Sequence, residues 1–249
     1  MSHFATVAVG LFCVASLFVG TRLLLLSRRT REVPEFVAGV ALLGIGPFGF
    51  GLTVTSTLLI PHSTLAADAL WAIASVALNS GTAAAYFFAY RVFHPRDARV
   101  RAVVTSLIVA LVALWFIEAW LTHFVAADPA SWATRSADWL RAGALLWSGI
   151  ESLRYWTMLK RRIALGLAEP LIARRFLLWG VAMAGSGVFS CIDATTKLLV
   201  EHALDYPLLS LANALAGSVA ALCLTLAFWP RRADDPAVAR EPGGSGPAS

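Results

Sequence analysis

Charged residues are scarce in this sequence. Asp, Glu, Lys and Arg make up only 14% of its 249 residues, whereas hydrophobic residues make up 58%, and the mean hydropathy is +0.71. A soluble domain usually carries about 25% charged residues and does not need repeated long apolar runs. These values exclude a soluble globular domain and indicate an integral membrane protein with several spanning segments.

Motifs that build disulfide frameworks, metal centres and catalytic sites are missing. The three cysteines, Cys13, Cys191 and Cys223, lie in apolar segments and form no CxxC pair, so we interpret them as small buried hydrophobic residues. The histidines show no HxxxH or HExxH spacing, and no nucleophile lies beside a base in a recognisable motif. The sequence therefore favours a protein that is not an enzyme.

Lys and Arg are absent from residues 1–10, and basic residues follow the first apolar run. A cleaved signal peptide has the opposite order of charges, so we expect this segment to remain as a spanning helix that begins outside. The net charge of +5 comes mainly from short loops between apolar segments. This pattern fits the positive-inside rule and not nucleic-acid binding.

Seven apolar segments are long enough to cross a bilayer, which takes about 20 helical residues. They predict an all-α, polytopic seven-helix bundle over residues 1–230, with helices near 4–26, 34–60, 65–90, 103–125, 139–159, 176–197 and 206–229. Residues 231–249 are rich in Pro, Gly, Ala and Ser, which predicts a disordered cytoplasmic tail.

The loops predict the orientation of this bundle. Fifteen of the twenty Lys and Arg residues fall in connections and tail on one side: Arg28, Arg29, Arg31, Arg91, Arg96, Arg99, Arg101, Lys160, Arg161, Arg162, Arg174, Arg175, Arg231, Arg232 and Arg240. Only Arg135, Arg141 and Lys197 fall on the other. This asymmetry predicts an N-terminus outside and a C-terminus in the cytoplasm.

Seven polar residues of the apolar segments are candidates for a ligand-binding site or a proton relay. Polar groups are costly in lipid, so they face other helices or a wet cavity. The candidates are Asn79, Glu118, Glu151, Ser190, Asp193, Lys197 and Asn213. Asn79 and Glu151 are expected near mid-membrane and the others in the outer half, which predicts an outward-facing polar cavity.

Helical spacing predicts two ion pairs. Glu151 and Arg154 are three residues apart, and Asp193 and Lys197 are four apart, so each pair shares a helix face. Two alternatives stay open: Arg154 reaching the inner surface, and Lys197 pairing with Glu118.

Pro47 lies near the middle of the second segment, among several glycines. It frees a backbone carbonyl and predicts a kink. We interpret the kink as a candidate hinge, with close packing of small residues as the alternative.

Three histidines are candidates for metal binding or pH sensing. His62, His123 and His202 are predicted at outer helix ends, near several acidic residues. Without a ligand spacing they do not identify a metal, and histidines of an interfacial zone are the alternative.

The segment 160–175 has basic ends and an apolar middle. It predicts a cytoplasmic loop with three possible roles: docking a protein partner, lying on the membrane surface as an amphipathic element broken at Pro170, or only fixing the topology.

The phrases LGLAEP at 165–170 and RRFLLWG at 174–180 resemble stretches of bacterial seven-helix membrane proteins. The resemblance implies a multi-pass protein of the bacterial inner membrane and carries no activity. Seven helices also invite comparison with retinal proteins, which need a lysine in the middle of the seventh helix. Residues 206–229 contain none, so retinal is not expected and the cofactor is left unknown.

The expected function is that of a sensor or small-ligand-binding protein with an outward-facing polar cavity. The alternative is a proton-coupled transporter or ion channel that uses the intramembrane carboxylates. The expected partners are the lipid bilayer and a cytoplasmic protein at 160–175.

Overall fold

The computed structural model describes residues 3–126, 131–199 and 207–228, and in this part of the chain all regular structure is helical. The helices are α1 (His3–Thr30), α2 (Val33–Ile45), α3 (Leu52–Leu59), α4 (Thr64–Phe93), α5 (Ala98–Thr122), α6 (Trp132–Ala164), α7 (Pro170–Leu199) and α8 (Pro207–Phe228). A π-helical turn, Gly46–Gly51, joins α2 to α3. These three pieces form one continuous rod, so the described residues build seven rods.

Polar side chains fix where three of the helices begin. Ser63 Oγ accepts from Ala66 N at 3.3 Å before α4, Asp97 Oδ1 from Arg99 N at 2.8 Å before α5, and Ser131 Oγ from Thr134 N at 3.1 Å before α6. Each bond satisfies a first-turn N–H that has no partner inside the helix. Such caps matter most at membrane ends, where the chain leaves the lipid.

The helix interruption predicted at Pro47 is present as a change of helix type. Pro47 has no N–H, so the carbonyl four residues earlier loses its α-helical donor. The chain responds with the π-helical turn Gly46–Gly51 and then resumes α-helix at Leu52. Turns of this kind are one of the known causes of helix bending. The role of a hinge stays a prediction.

Consecutive rods run in opposite directions. Ser16 lies against Gly46, and Gly20 against Gly39, which makes α1 antiparallel to the second rod. His94 of α4 meets Glu151 of α6, and Tyr86 meets Leu140, which makes α4 and α6 parallel. The alternation brings the basic ends of α1, α4 and α6 to the same end of the bundle as the basic starts of α5 and α7.

Six rods form a closed ring, and α5 lies outside it. Each rod packs on its neighbours in the order α1, α2/α3, α4, α6, α7, α8 and back to α1, whereas α5 packs on α4 and α6. Val19, Tyr86, Trp179, Met183 and Leu224 belong to the core that the ring encloses. The apolar part of α5 is accordingly only 11% buried, less than in any other candidate membrane span among the described residues.

Glycines set the closest approaches between rods. A Cβ on Gly149 of α6 would collide with the backbone of Ala184 in α7, and a Cβ on Gly44 of α2 would lie 2.8 Å from the Cα of Gly81 in α4. Small residues let helix backbones approach closely where lipid offers no hydrophobic drive for association.

Five described rods are long and apolar enough to cross a membrane: Val9–Thr30, Val33–Leu59, Thr64–Phe93, Ala98–Thr122 and Pro170–Thr196. They are typical of a multi-pass membrane protein. The other two differ from this pattern. Helix α6 carries more charged and polar residues, and the apolar part of α8 is the shorter Leu215–Phe228.

Most of the predicted loop 160–175 is helical, which corrects that expectation. Helix α6 continues to Ala164 and α7 begins at Pro170, so the connection is only 165–169. Gly166 turns the chain with φ +71°, and its N–H bonds to Ile163 O at 2.9 Å. The result is a tight α6–α7 hairpin with Leu165 and Leu167 exposed at its tip. The predicted tail lies outside the described residues.

Candidate functional site

Glu118 of α5 is buried where α4, α5 and α6 meet. Glu118 is only 3% exposed. Thr134 Oγ1 of α6 donates to Glu118 Oε1 at 3.2 Å. The Trp71 indole of α4 is a second hydrogen-bonding neighbour of this carboxylate. Three helices thus contribute to one enclosed acidic site, which we call the outer cluster.

An ion pair lies next to the outer cluster. Arg141 Nη1 and Asp138 Oδ1 form a salt bridge on α6, and both charges are close enough to act on the Glu118 carboxylate. Nearby, Trp115 Nε1 donates to Ser75 Oγ at 3.0 Å and ties α5 to α4. Asp68 Oδ1 accepts from Ala126 N at 2.8 Å and fixes the chain beyond α5. Contacts among α4, α5, α6 and the segment after α5 therefore hold the cluster together.

Glu151 of α6 belongs to a second group at the other end of the same helices, the inner cluster. His94 Nε2 lies 3.4 Å from Glu151 Oε1, and Arg154 Nη1 lies 3.0 Å from the same oxygen. The His94 ring stacks on Trp147, with centroids 6.2 Å apart and planes within 16°. The predicted Glu151–Arg154 pair is confirmed. Glu151 also lies level with His94, the residue that ends α4.

The two clusters are far apart. Thr134 and Glu151 are separated by about 25 Å along α6, at 1.5 Å per residue. Between them Tyr86 OH donates to Leu140 O at 2.7 Å, and Ser152 Oγ donates to Ser148 O at 2.7 Å. These hydroxyls bond to backbone carbonyls, so the described contacts join the clusters by the α6 helix itself and not by a chain of side chains.

A cleft of about 330 Å³ lies between α4, α5 and α6 on the inner side of Tyr86. It is open on one side, and the accessible part of its lining is apolar. Its lining residues are Tyr86, Arg99, Val100, Val103, Leu107 and Trp147. Trp147 is thus shared between this cleft and the inner cluster.

The structure places the predicted site residues Glu118 and Glu151 in different clusters and not in one site. Asn79 is half-buried on α4, and its Oδ1 finds no hydrogen-bond partner among the described residues. Ser190 and Asp193 are half-buried on α7. The side chains of Lys197 and Asn213 lie outside the described residues, so the two alternatives for Lys197 remain predictions.

The histidine candidates do not form a metal centre in the part of the chain that the structure describes. His62 and His123 are exposed at different helix ends, and His202 lies outside the described residues. The described residues contain no group of three or more His, Cys, Asp or Glu side chains placed to hold a metal ion.

Sequence reasoning missed three contributors to these clusters: His94, Thr134 and Trp147. The sequence holds a signal for one of them, since Thr134 follows the capping residue Ser131 at the spacing of a helix start. For His94 and Trp147 the signal is absent, because their contacts depend on the parallel packing of α4 and α6.

No protein-family model, curated protein or solved structure matches this chain.

Proposed function

We propose that this protein is a seven-span sensor of a bacterial inner membrane, which binds a small polar ligand near Glu118 and signals through α6. The observation that carries the proposal is the burial of Glu118 among α4, α5 and α6. An ionisable residue inside a membrane bundle is costly, and such residues usually mark ligand or ion sites.

Seven spans with the N-terminus outside agree with the packing. Four charges of α6 are paired, Arg141 with Asp138 and Glu151 with Arg154, and His94 also lies 3.4 Å from Glu151. A charged helix can cross lipid when its charges face other helices. The basic ends gathered at one end of the bundle then face the cytoplasm.

Helix α6 supplies the route from ligand to output. It carries Thr134 at the outer cluster and Glu151 at the inner cluster, and it ends in the basic hairpin with α7. Gly149 holds it against the α7 backbone. A small displacement at Thr134 would therefore move a rigid element whose far end bears Arg161 and Arg162. We propose that a cytoplasmic protein partner docks on this hairpin.

Native mass spectrometry of the gently solubilised protein tests ligand binding. We expect a small-molecule adduct on the wild type and its loss in Glu118→Gln, which keeps the shape and the acceptor for Thr134 but removes the charge. Glu32→Gln, an exposed residue at the other end of the bundle, is the control and should retain the adduct. A wild-type spectrum with only lipid and detergent adducts would contradict the proposal.

Affinity capture from membranes tests the partner. Replacing Arg161, Arg162 and Arg174 by Gln should remove the co-purifying protein, because the hairpin loses its charge. Replacing Arg28, Arg29 and Arg31 by Gln removes three charges at the same end but not from the hairpin, and should leave capture intact. Equal capture by both triple variants would contradict docking at the hairpin.

A proton-coupled transporter or channel is the second candidate, and the inner cluster favours it. Glu151 lies between an imidazole and a guanidinium, and ionisable residues inside a membrane bundle often mark proton pathways. Glu118 would serve the outer side. Proton flux in liposomes that is lost in both Glu118→Gln and Glu151→Gln would establish this function. Flux unchanged in both variants would exclude a relay through these acids.

A further inference from the structure

The cleft between α4, α5 and α6 is suited to a hydrocarbon chain. The accessible part of its lining is apolar, and the Tyr86 hydroxyl is already bonded to Leu140 O at 2.7 Å. A polar ligand inside it would lose its hydrogen bonds to water without replacement. Its volume of about 330 Å³ lies at the lower end of the range of small-molecule sites, about 300–1,000 Å³.

One face of α5 provides a basic entrance to this cleft. Arg99, Val103 and Leu107 follow at intervals of four residues and therefore line one side of the helix. Arg99 is exposed and lines the cleft, so its long side chain can place methylenes against the apolar wall and the guanidinium at the rim. The nearest acid in sequence, Asp97, is occupied by the backbone N–H groups of Arg99 and Val100. The rim thus offers a cation that a phosphate can pair with.

We infer that this cleft binds one acyl chain of an anionic phospholipid, with the lipid phosphate at Arg99. Val103 of the lining is 56% exposed, and α5 packs outside the ring, so the open side of the cleft meets the bilayer. Arg91, Arg96 and Arg101 lie on or near the same connection and add to the attraction for an anionic headgroup.

The bound lipid would touch the inner cluster. Trp147 forms one wall of the cleft and also stacks on the His94 ring, which lies 3.4 Å from Glu151. An acyl chain against Trp147 would therefore support the ring stack that holds His94 at the carboxylate. The inference needs the membrane location of the chain but not the ligand site at Glu118.

Native mass spectrometry of the full chain, titrated with defined lipids, tests this inference. Dioleoyl phosphatidylglycerol should bind more tightly than dioleoyl phosphatidylcholine or oleate. Val103→Trp fills the cleft and should weaken both phospholipids roughly tenfold, the effect of losing the burial of a few methylenes. Arg99→Gln should weaken phosphatidylglycerol about fivefold, the effect of one cation near a lipid of net negative charge. It should weaken phosphatidylcholine less, because the choline cation of that lipid offsets its phosphate.

Matched controls separate the cleft from general effects. Val109→Trp adds the same side chain to an exposed position of α5 that does not line the cleft, and Arg29→Gln removes a cation at the same end of the bundle. Both should bind like the wild type. Equal weakening by Val103→Trp and Val109→Trp would overturn the inference, as would equal affinity for the two phospholipids. Tighter binding of oleate would overturn the assignment to a phospholipid.

A measurement on the wild type keeps the inference testable if Val103→Trp does not fold. Phosphatidylglycerol with a diazirine in its acyl chain should crosslink to peptides that contain Val103, Leu107 and Trp147. Crosslinks spread evenly over the outer face of α5 would show only bulk lipid and would overturn the assignment of a site.

Discussion

Glu118 and Glu151 are two buried carboxylates on the same three-helix unit, yet their surroundings differ. Glu118, 3% exposed, is bonded to the neutral hydroxyl of Thr134, while the nearest cation, Arg141, already pairs with Asp138. Glu151, 9% exposed, lies between His94 and the Arg154 side chain, which is 72% exposed. Glu118 is enclosed within the bundle, whereas Glu151 has a partner, Arg154, whose side chain extends into solvent.

In the proposed function, this difference gives the two acids different tasks. Enclosure amplifies every electrostatic interaction and makes a misplaced charge costly, so the outer cluster is suited to select a ligand. At the inner edge water screens the ion pairs, so the inner cluster can rearrange at little cost. The predictions below test whether this contrast is as large as the contacts indicate.

The largest contrast should come from Lys substitutions of the two acids. Glu118→Lys places a cation in an enclosed site beside Arg141 and should cost more than about 4 kcal/mol, since a buried unpaired charge is among the most destabilising changes. Glu151→Lys lies near the end of α4 and should cost less, because the longer side chain can reach water. The yield of monodisperse protein in size-exclusion chromatography measures both.

Glu118→Gln and Glu151→Gln control for the loss of the acid alone, and both should remain monodisperse. If Glu118→Lys and Glu151→Lys gave the same yield, the outer cluster would be more open to water than its burial indicates.

A second prediction concerns the α6–α7 contact that holds the two ends of α6 in place. Gly149→Val would force its side chain against the Ala184 backbone and should cost about 3 kcal/mol, the upper part of the usual range for overpacking. Gly185→Val is the matched control, because a Cβ there meets no atom within 4 Å. Thermal unfolding in detergent should show a lower midpoint for Gly149→Val only, and equal midpoints would contradict the close approach.

A third prediction concerns the Thr134 hydroxyl, which contacts both Glu118 Oε1 and Ser131 Oγ. Thr134→Val keeps the shape but removes the hydroxyl that donates to Glu118, which leaves a buried carboxylate short of one partner. The expected loss is about 1–3 kcal/mol, or a fall of roughly 2–4 °C in Tm for each kcal/mol. Thr134→Ser retains the hydroxyl, so its Tm should lie between those of Thr134→Val and the wild type, nearer the wild type. A Thr134→Val protein as stable as the wild type would show that water replaces the bond.

The helices could be predicted from the sequence because apolar runs of membrane length are a strong local signal. The predicted cores of the spans agree with α1, α4, α5 and α7, and Pro47 marked the irregular turn. The ends of the helices were harder to predict from the sequence. Hydropathy reports where lipid ends, not where the helix ends, so α6 and α7 extend past their apolar parts into Arg161, Arg162 and Arg174, which are good helix formers.

Within the two clusters, only the contacts between residues close in sequence could be predicted. The Glu151–Arg154 pair follows from a spacing of three residues. His94 and Trp147 are 53 residues apart in the chain, and they stack only because α4 and α6 run parallel in the ring. Sequence spacing cannot predict a contact between residues so far apart in the chain. The inner cluster could therefore be identified only from the packing of the helices.

The smallest expected effect on stability comes from removing the exposed Arg154 side chain from the inner cluster. Arg154→Gln removes the guanidinium from Glu151 but leaves His94 at 3.4 Å. Because the Arg154 side chain is largely in solvent, the change should cost less than about 1 kcal/mol. High salt should remove the difference between variant and wild type, since it screens an exposed pair. A difference in Tm that persists in high salt would mean that the inner cluster is as enclosed as the outer one, and the contrast between Glu118 and Glu151 would fail.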